Sequence, residues 1–258
     1  MLIKRLFCFC AVASVASFAD AAVVSHYTFD DAANVGADSA GANHGTLQGD
    51  AAQTAGFIGS GALALDGDGD FVALTGSNAS LEALDDDGDG WTVTSWVKTA
   101  GNGDVARIVS TDMPDGWAGG GWGVGVRQDR GSDEFISTTY GVVDMQAGTA
   151  SLDGEWHHLG FVMRNDGDAI ATDYYLDGVL EGSAAPGNGF GITATSNDYA
   201  IGRLGLPAAL QYFNGSLDDL RIYDHELSAG DVRALVPEPN SGVLLLIGGL
   251  MALVRRRR

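Results

Sequence analysis

Short alternations of apolar and polar residues recur along the chain, whereas the spacing typical of an amphipathic helix is scarce. Alternation is visible in WTVTSWVK (91–98), GWGVGVR (121–127), EFISTTY (134–140), EWHHLGFVMR (155–164) and DYYLDGVLE (173–181). Successive side chains of a strand point to opposite faces, so each segment is predicted to form a strand with one buried face. Clusters of Gly, Asp and Asn separate the segments and predict tight turns. The pattern predicts an all-β protein, a two-sheet sandwich or jelly roll.

One segment has helical features. LSAGDVRALV, at residues 227–236, contains Ser228 and, three residues later, Asp231. This is the spacing of a capping box, with Asp in place of the preferred Glu or Gln. We therefore predict a short helix that follows the last strand.

The N-terminus has the three parts of a secretory signal peptide. A basic pair precedes an apolar stretch over residues 6–18, and Ala19–Ala21 has the A-x-A form of a cleavage site. We expect residues 1–21 to be removed. Both cysteines, Cys8 and Cys10, lie in this segment. The mature chain is therefore expected to contain neither a disulfide nor a thiolate nucleophile.

The C-terminus combines a proline-rich triplet, an uncharged apolar run and a basic end. These are Pro237, Glu238 and Pro239, then residues 242–254, then Arg255, Arg256, Arg257 and Arg258. As a helix the apolar run would be about 20 Å long, which is short for a hydrocarbon core of about 30 Å. The arginines would stay on the cytoplasmic side of the membrane. A plain short transmembrane anchor is one interpretation of this tail.

The order of the three parts resembles the PEP-CTERM sorting signal, which gives a second interpretation. That family's tails are processed by the membrane protease exosortase in Gram-negative bacteria that export polysaccharide. The resemblance implies that residues 237–258 insert transiently into the membrane as a short apolar helix and are then cut. It also implies an exosortase-type protease as a partner, with delivery to the cell surface or the extracellular polysaccharide matrix.

Residues 22–236, between the two targeting ends, are predicted to form one domain. They carry eight Lys and Arg against 32 Asp and Glu, a net charge near −24, compared with −20 for the whole chain. A field of this sign repels nucleic acid and anionic membranes and attracts cations. Most of the acid is Asp beside Gly or another Asp. Carboxylates are hard ligands that suit calcium, and a solvated acidic coat is the alternative for most of them.

Several motifs along this domain occur in an order that is known from one family. They are VVSHYTFDD, GALALDGDGDFVAL, GEWHH followed by YLDG, and the closing FNGSLDDLRIYDHELSAGDVRAL. Together they resemble a laminin-G-like (LamG-like) jelly roll of the concanavalin A-like superfamily. The resemblance implies two antiparallel sheets face to face, with the first and last strands adjacent.

Two acidic segments are candidate calcium sites. Asp85, Asp87, Asp89 and Gly90 fill the first, third, fifth and sixth positions of an EF-hand loop. The twelfth position is Trp96 instead of Glu, and a strand follows, so a complete EF-hand is not predicted. Calcium held at the turn and a solvated acidic loop both remain open interpretations.

The second acidic segment is DGDGDF, at residues 66–71. The LamG-like resemblance implies that this segment lies near the closing strand and that calcium-binding members use acidic residues at this rim. Carried over to this chain, the implied ligands are Asp70, Asp218 and Asp219. For Asp218, capping a turn by accepting backbone hydrogen bonds is the alternative.

A Gly-rich loop is the candidate ligand-binding segment. In MPDGWAGGGWGVGV, at residues 113–126, Trp117 is predicted to be exposed and able to stack on a sugar ring. Asp112 and Asp115 can accept hydrogen bonds from sugar hydroxyls. Trp122 is expected in the core at strand spacing, and so are the tryptophans of the other predicted strands, Trp91, Trp96 and Trp156.

Catalytic motifs are not evident in the sequence. The glutamates do not form the E-x-D-x-x-E strand pattern of laminarinase-type hydrolases, and no G-x-S-x-G elbow occurs. His157 and His158 are adjacent on a predicted strand, so they face opposite ways and cannot share one metal from there. The sequence therefore predicts a non-enzymatic binding or structural module. A concanavalin A-like carbohydrate-active enzyme and a protein-binding adhesin are the alternatives.

Overall fold

The structure, a computed structural model, describes residues 23–74, 79–85, 90–111, 121–139, 145–165, 170–184, 199–204 and 211–237. These residues form an all-β sandwich of two antiparallel sheets, consistent with a jelly roll. The sequence prediction of a two-sheet all-β fold is confirmed.

The described residues contain fifteen strands and two short α-helices. The strands are β1 (Val23–Tyr27), β2 (Gly45–Gln48), β3 (Ala52–Ala55), β4 (Gly61–Asp66), β5 (Phe71–Leu74), β6 (Trp91–Lys98), β7 (Val105–Thr111), β8 (Trp122–Arg127), β9 (Glu134–Thr139), β10 (Met145–Thr149), β11 (Trp156–Asn165), β12 (Ile170–Leu176), β13 (Val179–Ala184), β14 (Tyr199–Ile201) and β15 (Asn214–Tyr223). The helices are α1 (Ala79–Glu82), which a 3-10 turn (Ala83–Asp85) follows, and α2 (Ala229–Ala234).

Strands distant in sequence are neighbours in both sheets. The first sheet has the order β13-β12-β11-β6-β15-β4-β3, and β1 also pairs with β15. The second sheet has the order β10-β9-β8-β7-β14-β5-β2. Val23 pairs with Tyr223, so the first and last strands are adjacent, as the family resemblance implied.

The core lies between the two sheets and is rich in aromatic residues. Trp91 of β6 and Trp122 of β8 are each 1% exposed, and their rings lie 6.1 Å apart. The expected core positions of both tryptophans are confirmed. On β6, Val93 and Val97 also belong to this core. Because side chains alternate along a strand, Trp96 and Lys98 point away from the core, onto the outer face of the first sheet.

The segment at residues 173–181 differs from the prediction of a single strand. Asp177 and Gly178 have φ angles of 48° and 77°, and they form the tight turn that joins β12 to β13. A two-residue hairpin turn with positive φ at both positions favours an Asp-Gly pair. The alternation in this segment therefore comes from two strands of a hairpin.

The predicted helix at the end of the domain is confirmed as α2. The hydroxyl of Ser228 accepts the backbone N–H of Asp231, and the Asp231 carboxylate accepts the backbone N–H of Ser228. These reciprocal bonds satisfy donors that the first turn of a helix leaves free. Val232 packs on the outer face of the first sheet with Tyr175 and Tyr223. This helix covers one part of that face.

No helix within the described ranges is both long and apolar enough to cross a membrane. The predicted signal peptide, the apolar run and the arginines of the tail lie outside the described residues. Pro237 is the last residue that the structure describes, and Glu238 and Pro239 follow it in sequence.

Candidate functional site

Asp70 holds two turns together by hydrogen bonds at one end of the sandwich. Its carboxylate accepts the backbone N–H of Asp50 at 2.7 Å through Oδ1 and that of Asp66 at 3.2 Å through Oδ2. Asp70 itself is only 3% exposed. Gly49 has a φ of 70°, and a Cβ there would lie 2.4 Å from Asp70 Oδ1. Only glycine therefore allows the turn before Asp50 to approach this carboxylate so closely.

Three carboxylates converge at this point. Asp50, Asp66 and Asp70 each offer an oxygen, and these atoms lie within 4.8 Å of one another. The hydrogen bond to Asp70, together with the charges of Asp70 and Asp66, raises the pKa of Asp50. Calcium takes about six to eight oxygen ligands, including carboxylates. This acidic triplet, Asp50, Asp66 and Asp70, is therefore the candidate metal centre among the described residues.

The sequence identified only part of the acidic triplet. Asp70 was named as a candidate calcium ligand, and Asp66 lies in the same acidic segment, DGDGDF. Asp50 lies 20 positions before Asp70, on a different turn, and was not recognised. The Gly49-Asp50 pair marks a turn in the sequence. Its position next to the β4–β5 turn follows from the pairing of β2 with β5 and of β3 with β4, which local pattern does not reveal.

The structure does not bring Asp218 to the acidic triplet. β15 meets β4 with Asn214 opposite Asp66, and Asp218 lies four residues further along the strand, about 13 Å away. Oδ2 of Asp218 accepts the backbone N–H groups of Phe57 and Ile58 at 2.7 and 2.8 Å. The alternative of a turn-capping role therefore describes the geometry of Asp218. Burial raises its pKa to about 6.

Asp219 lies at an irregularity in β15 and also has protein partners. It has a φ of 48°, and the pairing of β15 with β6 shifts between Asp218 and Arg221. Oδ1 of Asp219 lies 2.6 Å from Nε2 of His26, and Oδ2 lies 3.0 Å from the guanidinium of Arg221. Burial acts to raise the pKa of Asp219, but the His26 hydrogen bond and the Arg221 charge leave it lowered.

Other aspartates of the domain hold turns in the same way. Asp30 accepts backbone N–H groups from residues 60 and 61. Asp38 is 4% exposed and accepts the backbone N–H groups of four residues, which are His26, Ala40, Gly41 and Asn43. A carboxylate that accepts several backbone N–H groups is well solvated by the protein. Part of the aspartate content is thus explained by turn architecture.

The remaining predicted site residues are only partly described. Asp85 ends the 3-10 turn, and Gly90 has a φ of 72° just before β6, but Asp87 and Asp89 lie outside the described residues. The candidate ligand-binding residues, Asp112, Asp115 and Trp117, also lie outside them. Their roles stay predictions.

The outer face of the first sheet carries an aromatic cluster that the sequence did not predict. The ring of Phe57, in the β3–β4 loop, lies 4.1 Å from that of Trp96 and 6.1 Å from that of Trp156. Trp96 is only 4% exposed. The ring that covers it is that of Phe57, and the opposite sheet lies on the other side of the strand. Trp156 is half-buried. The expectation that Trp96 is buried is confirmed, although the side chain that covers it is Phe57 on the outer face. The expectation that Trp156 lies in the core is wrong, because alternation alone does not tell which face of a strand turns inward.

The two adjacent histidines of β11 have separate environments, as predicted. His158 packs edge-on against Trp96 at 5.4 Å, and burial lowers its pKa to about 4. Nδ1 of His157 lies 2.8 Å from Asp177, and its Nε2 lies 3.3 Å from Asp153. Burial acts to lower the pKa of His157, but these two carboxylates leave it raised.

Comparison with curated protein sequences gave no match. Among solved structures, the chain is similar to Domain 4 of AbnA, a GH43 extracellular arabinanase from Geobacillus stearothermophilus, in complex with arabinotriose. The identity is 23% and the TM-score 0.59, and the alignment covers 83% of this chain and 98% of that one.

Two toxin domains are also similar. The receptor binding domain of botulinum neurotoxin C/D mosaic serotype is 14% identical with a TM-score of 0.56, and the match covers 83% of this chain and 51% of that one. The binding domain of botulinum neurotoxin DC, in complex with rat synaptotagmin II, is 12% identical with a TM-score of 0.58 and the same two coverages. The chain thus spans about half the length of these toxin domains. At such identities the likeness shows the fold alone.

A family match covers most of the domain. Residues 66–233 match the family Laminin_G_3, which is described as the Concanavalin A-like lectin/glucanases superfamily. The matched range runs from the β4–β5 turn, which contains Asp70, to the C-terminal helix, and the two-sheet architecture agrees with it. The chain belongs to the Laminin_G_3 family of the concanavalin A-like lectin/glucanase superfamily.

Proposed function

We propose that this protein is an exported, non-catalytic module that binds glycans at the cell surface or in the extracellular polysaccharide matrix. The observation that carries the proposal is that buried carboxylates hold the turns and loops of the domain in place. Asp38, Asp70 and Asp218 accept backbone N–H groups and so fix the turns and loops around the two sheets. Loops held on a rigid sandwich are a common basis for a binding surface.

A carbohydrate-active enzyme is the second candidate function. A glycosidase of this type needs two carboxyl groups that flank the scissile bond, and one of them must donate a proton. Asp218 has the raised pKa that such an acid needs, but its Oδ2 is bound to two backbone N–H groups of a loop. This geometry favours a structural carboxylate and supports the binding function.

Neighbours of similar fold support a glycan or a protein as the partner. Domain 4 of AbnA was solved with arabinotriose, and a botulinum binding domain was solved with synaptotagmin II. The glycan is favoured here because aromatic rings lie on the outer face of the first sheet. A protein-binding adhesin remains the alternative that the experiment below distinguishes.

Calcium is the proposed stabilising ion, and the acidic triplet is its proposed site. Asp50, Asp66 and Asp70 supply carboxylate oxygens within 4.8 Å of one another. An ion at this point would neutralise their mutual repulsion and hold the β2–β3 turn against the β4–β5 turn. Water and backbone carbonyls would complete its ligand set, as is usual for calcium.

Export and sorting rest on the two ends of the sequence. A signal peptide over residues 1–21 and a PEP-CTERM-type tail over residues 237–258 support passage through the inner membrane, transient anchoring and cutting by an exosortase-type protease. The net charge of −20 supports an exterior setting rich in divalent cations and argues against nucleic acid as a partner.

A glycan array probed with the purified protein tests the proposed function. The protein is applied in millimolar calcium and, in parallel, in chelator at the same ionic strength. We expect selective binding that calcium strengthens. Chromatography of the soluble saccharides after long incubation with the protein provides the comparison with an enzyme. Released product would show catalysis, and an array with no bound glycan would contradict the glycan-binding function.

A further inference from the structure

We propose that the protein binds a neutral sugar ring on the outer face of its first sheet, over Phe57 and Trp156. We call this area the Phe57 surface, formed by Phe57, Trp156, Lys98 and Ser216. The inference rests on the proposed glycan-binding function and names the site and the ligand class.

Aromatic area is open to solvent at this surface. Phe57 is 46% exposed, although it lies in a loop next to two tryptophans that could cover it. The other large apolar side chains with comparable exposure in the described ranges are Val179 and Leu180, both on the edge strand β13. Phe57 and Trp156 therefore present two neighbouring rings that are partly open, while Trp96 lies beneath the Phe57 ring.

The Phe57 ring is held in place before any ligand arrives. Asp218 fixes the backbone N–H groups of Phe57 and Ile58. A Cβ on Gly56 would lie 2.5 Å from the carbonyl oxygen of Gly61 and 3.0 Å from Asp218 Oδ2, so this position requires glycine. A ring fixed in this way loses little conformational entropy on binding, and this improves affinity.

Hydrogen-bonding groups lie beside the rings. Lys98 of β6 is directly opposite Trp156 of β11 and opposite Ser216 of β15. Residues that are directly opposite in an antiparallel pair project on the same face. Lys98 is exposed, and the described part of the chain contains no ion pair that involves it. Its ammonium group is therefore available as a donor, next to the Ser216 hydroxyl.

This combination fits a sugar ring. The face of an aromatic ring is electron-rich, and one face of a sugar ring presents C–H groups that carry a small positive charge. Sugar hydroxyls at the ring edge can accept from the Lys98 ammonium and exchange hydrogen bonds with Ser216. Ligand sites typically combine aromatic walls with a few well-placed polar groups in this way.

Charge and area decide between ligand classes. The protein carries a net charge of −20, so a polyuronate would be repelled, and one lysine offers little compensation. A neutral saccharide is not repelled by this charge. A stable protein interface needs about 800 Å² on each partner, which four side chains do not supply. A neutral glycan is therefore the occupant to which the surface is suited.

Titrations with matched variants test the inference. Arabinotriose, xylotriose, cellotriose and oligogalacturonate are titrated into the wild type, Phe57→Ala, Phe57→Tyr, Lys98→Gln and Leu180→Ala, with tryptophan fluorescence as the readout. Leu180 is 51% exposed on β13 and serves as the control for removing an exposed apolar side chain. A thermal unfolding curve for each variant verifies that it is folded.

We expect the wild type to bind a neutral trisaccharide and not oligogalacturonate. Phe57→Ala should weaken binding at least about tenfold, as is common for an aromatic hot spot. Phe57→Tyr keeps the ring and should stay within about threefold of the wild type, Lys98→Gln should be weaker by a few fold, and Leu180→Ala should be unchanged.

Two different failures are distinguishable. If Phe57→Ala and Lys98→Gln bind the same saccharide as tightly as the wild type, the sugar binds elsewhere, and the inference fails while the proposed function stands. If the wild type binds none of the probes here and no glycan on the array, the proposed function fails and the inference fails with it. Binding of oligogalacturonate alone would contradict the assignment of a neutral ligand.

Discussion

Oδ2 of Asp218 accepts the backbone N–H of Phe57 at 2.7 Å, which joins the closing strand to a loop 161 positions earlier in the chain. Ile58 donates to the same oxygen at 2.8 Å. A buried aspartate is thus used to position an exposed aromatic ring. This hydrogen bond therefore links a buried carboxylate of the closing strand to the loop that carries the Phe57 surface.

Replacing Asp218 by Ala should destabilise the protein markedly. Two backbone N–H groups would lose their acceptor, and each such loss costs about 1–3 kcal/mol when the group stays buried. We expect a decrease of about 2–4 kcal/mol in the free energy of unfolding at pH 7. Urea unfolding followed by tryptophan fluorescence measures it. The control is Asp224→Ala, because the Asp224 carboxylate is half exposed and hydrogen-bonds to His225. Equal stability of the two variants would contradict the role of Asp218.

Two buried groups on either side of Trp96 should have opposite effects on stability between pH 4 and 6.5. Asp218 and His158 are the two cross-strand partners of Trp96. Burial raises the pKa of Asp218 to about 6. The proton-linked part of its contribution, which is separate from the two hydrogen bonds that Oδ2 accepts, is therefore present at low pH and is lost as the pH rises through 6. Burial lowers the pKa of His158 to about 4, so its contribution is present above 6.5 and is lost as the pH falls through 4.

Single substitutions should separate these two contributions. In Asp218→Asn only the histidine contribution remains, so stability should fall more steeply on acidification than in the wild type. In His158→Gln only the aspartate contribution remains, so stability should fall less steeply or rise. Urea midpoints measured from pH 4 to 7 provide the test. Parallel pH profiles for the wild type and both variants would show that neither burial effect operates.

Calcium should stabilise the protein through the acidic triplet. At free calcium about 100 times the dissociation constant, mass action adds about 2.7 kcal/mol. For a domain of this size this corresponds to a rise of about 5–10 °C in Tm. Differential scanning calorimetry in calcium, magnesium and chelator measures the effect, and magnesium should give a smaller gain. Asp50→Asn should abolish most of the gain and Asp224→Asn should not. An unchanged gain in Asp50→Asn would place the ion elsewhere.

The sequence predicted the elements that depend on interactions between near neighbours in the chain. It missed the residues whose role depends on contacts made only in the folded protein. Alternation found β6 with the bounds Trp91–Lys98, and the Ser228–Asp231 spacing found α2, because both signals are local. Asp50 and Phe57 were missed because each acquires its neighbours through tertiary contacts that the local pattern does not reveal. Trp156 was assigned to the core because alternation along a strand does not reveal which face turns inward.

The two ends of the chain should be absent from the mature protein. Removal at Ala21 predicts a first residue of Ala22 and no cysteine, and cutting near Pro237–Pro239 predicts loss of the apolar run and of all four terminal arginines. Intact-mass spectrometry of the protein recovered from the surface of its native host measures both ends. A mass that includes Arg258 in most molecules would indicate a plain membrane anchor, and a mass that includes Cys8 or Cys10 would contradict removal at Ala21.

A crystal structure of the purified protein grown with the tightest-binding neutral saccharide would show directly whether a sugar occupies the Phe57 surface. We expect a sugar ring stacked over Phe57 and Trp156, with a hydroxyl within hydrogen-bond distance of the Lys98 ammonium group. A saccharide bound on the second sheet or at the rim loops, with Phe57 free in the crystal, would contradict it.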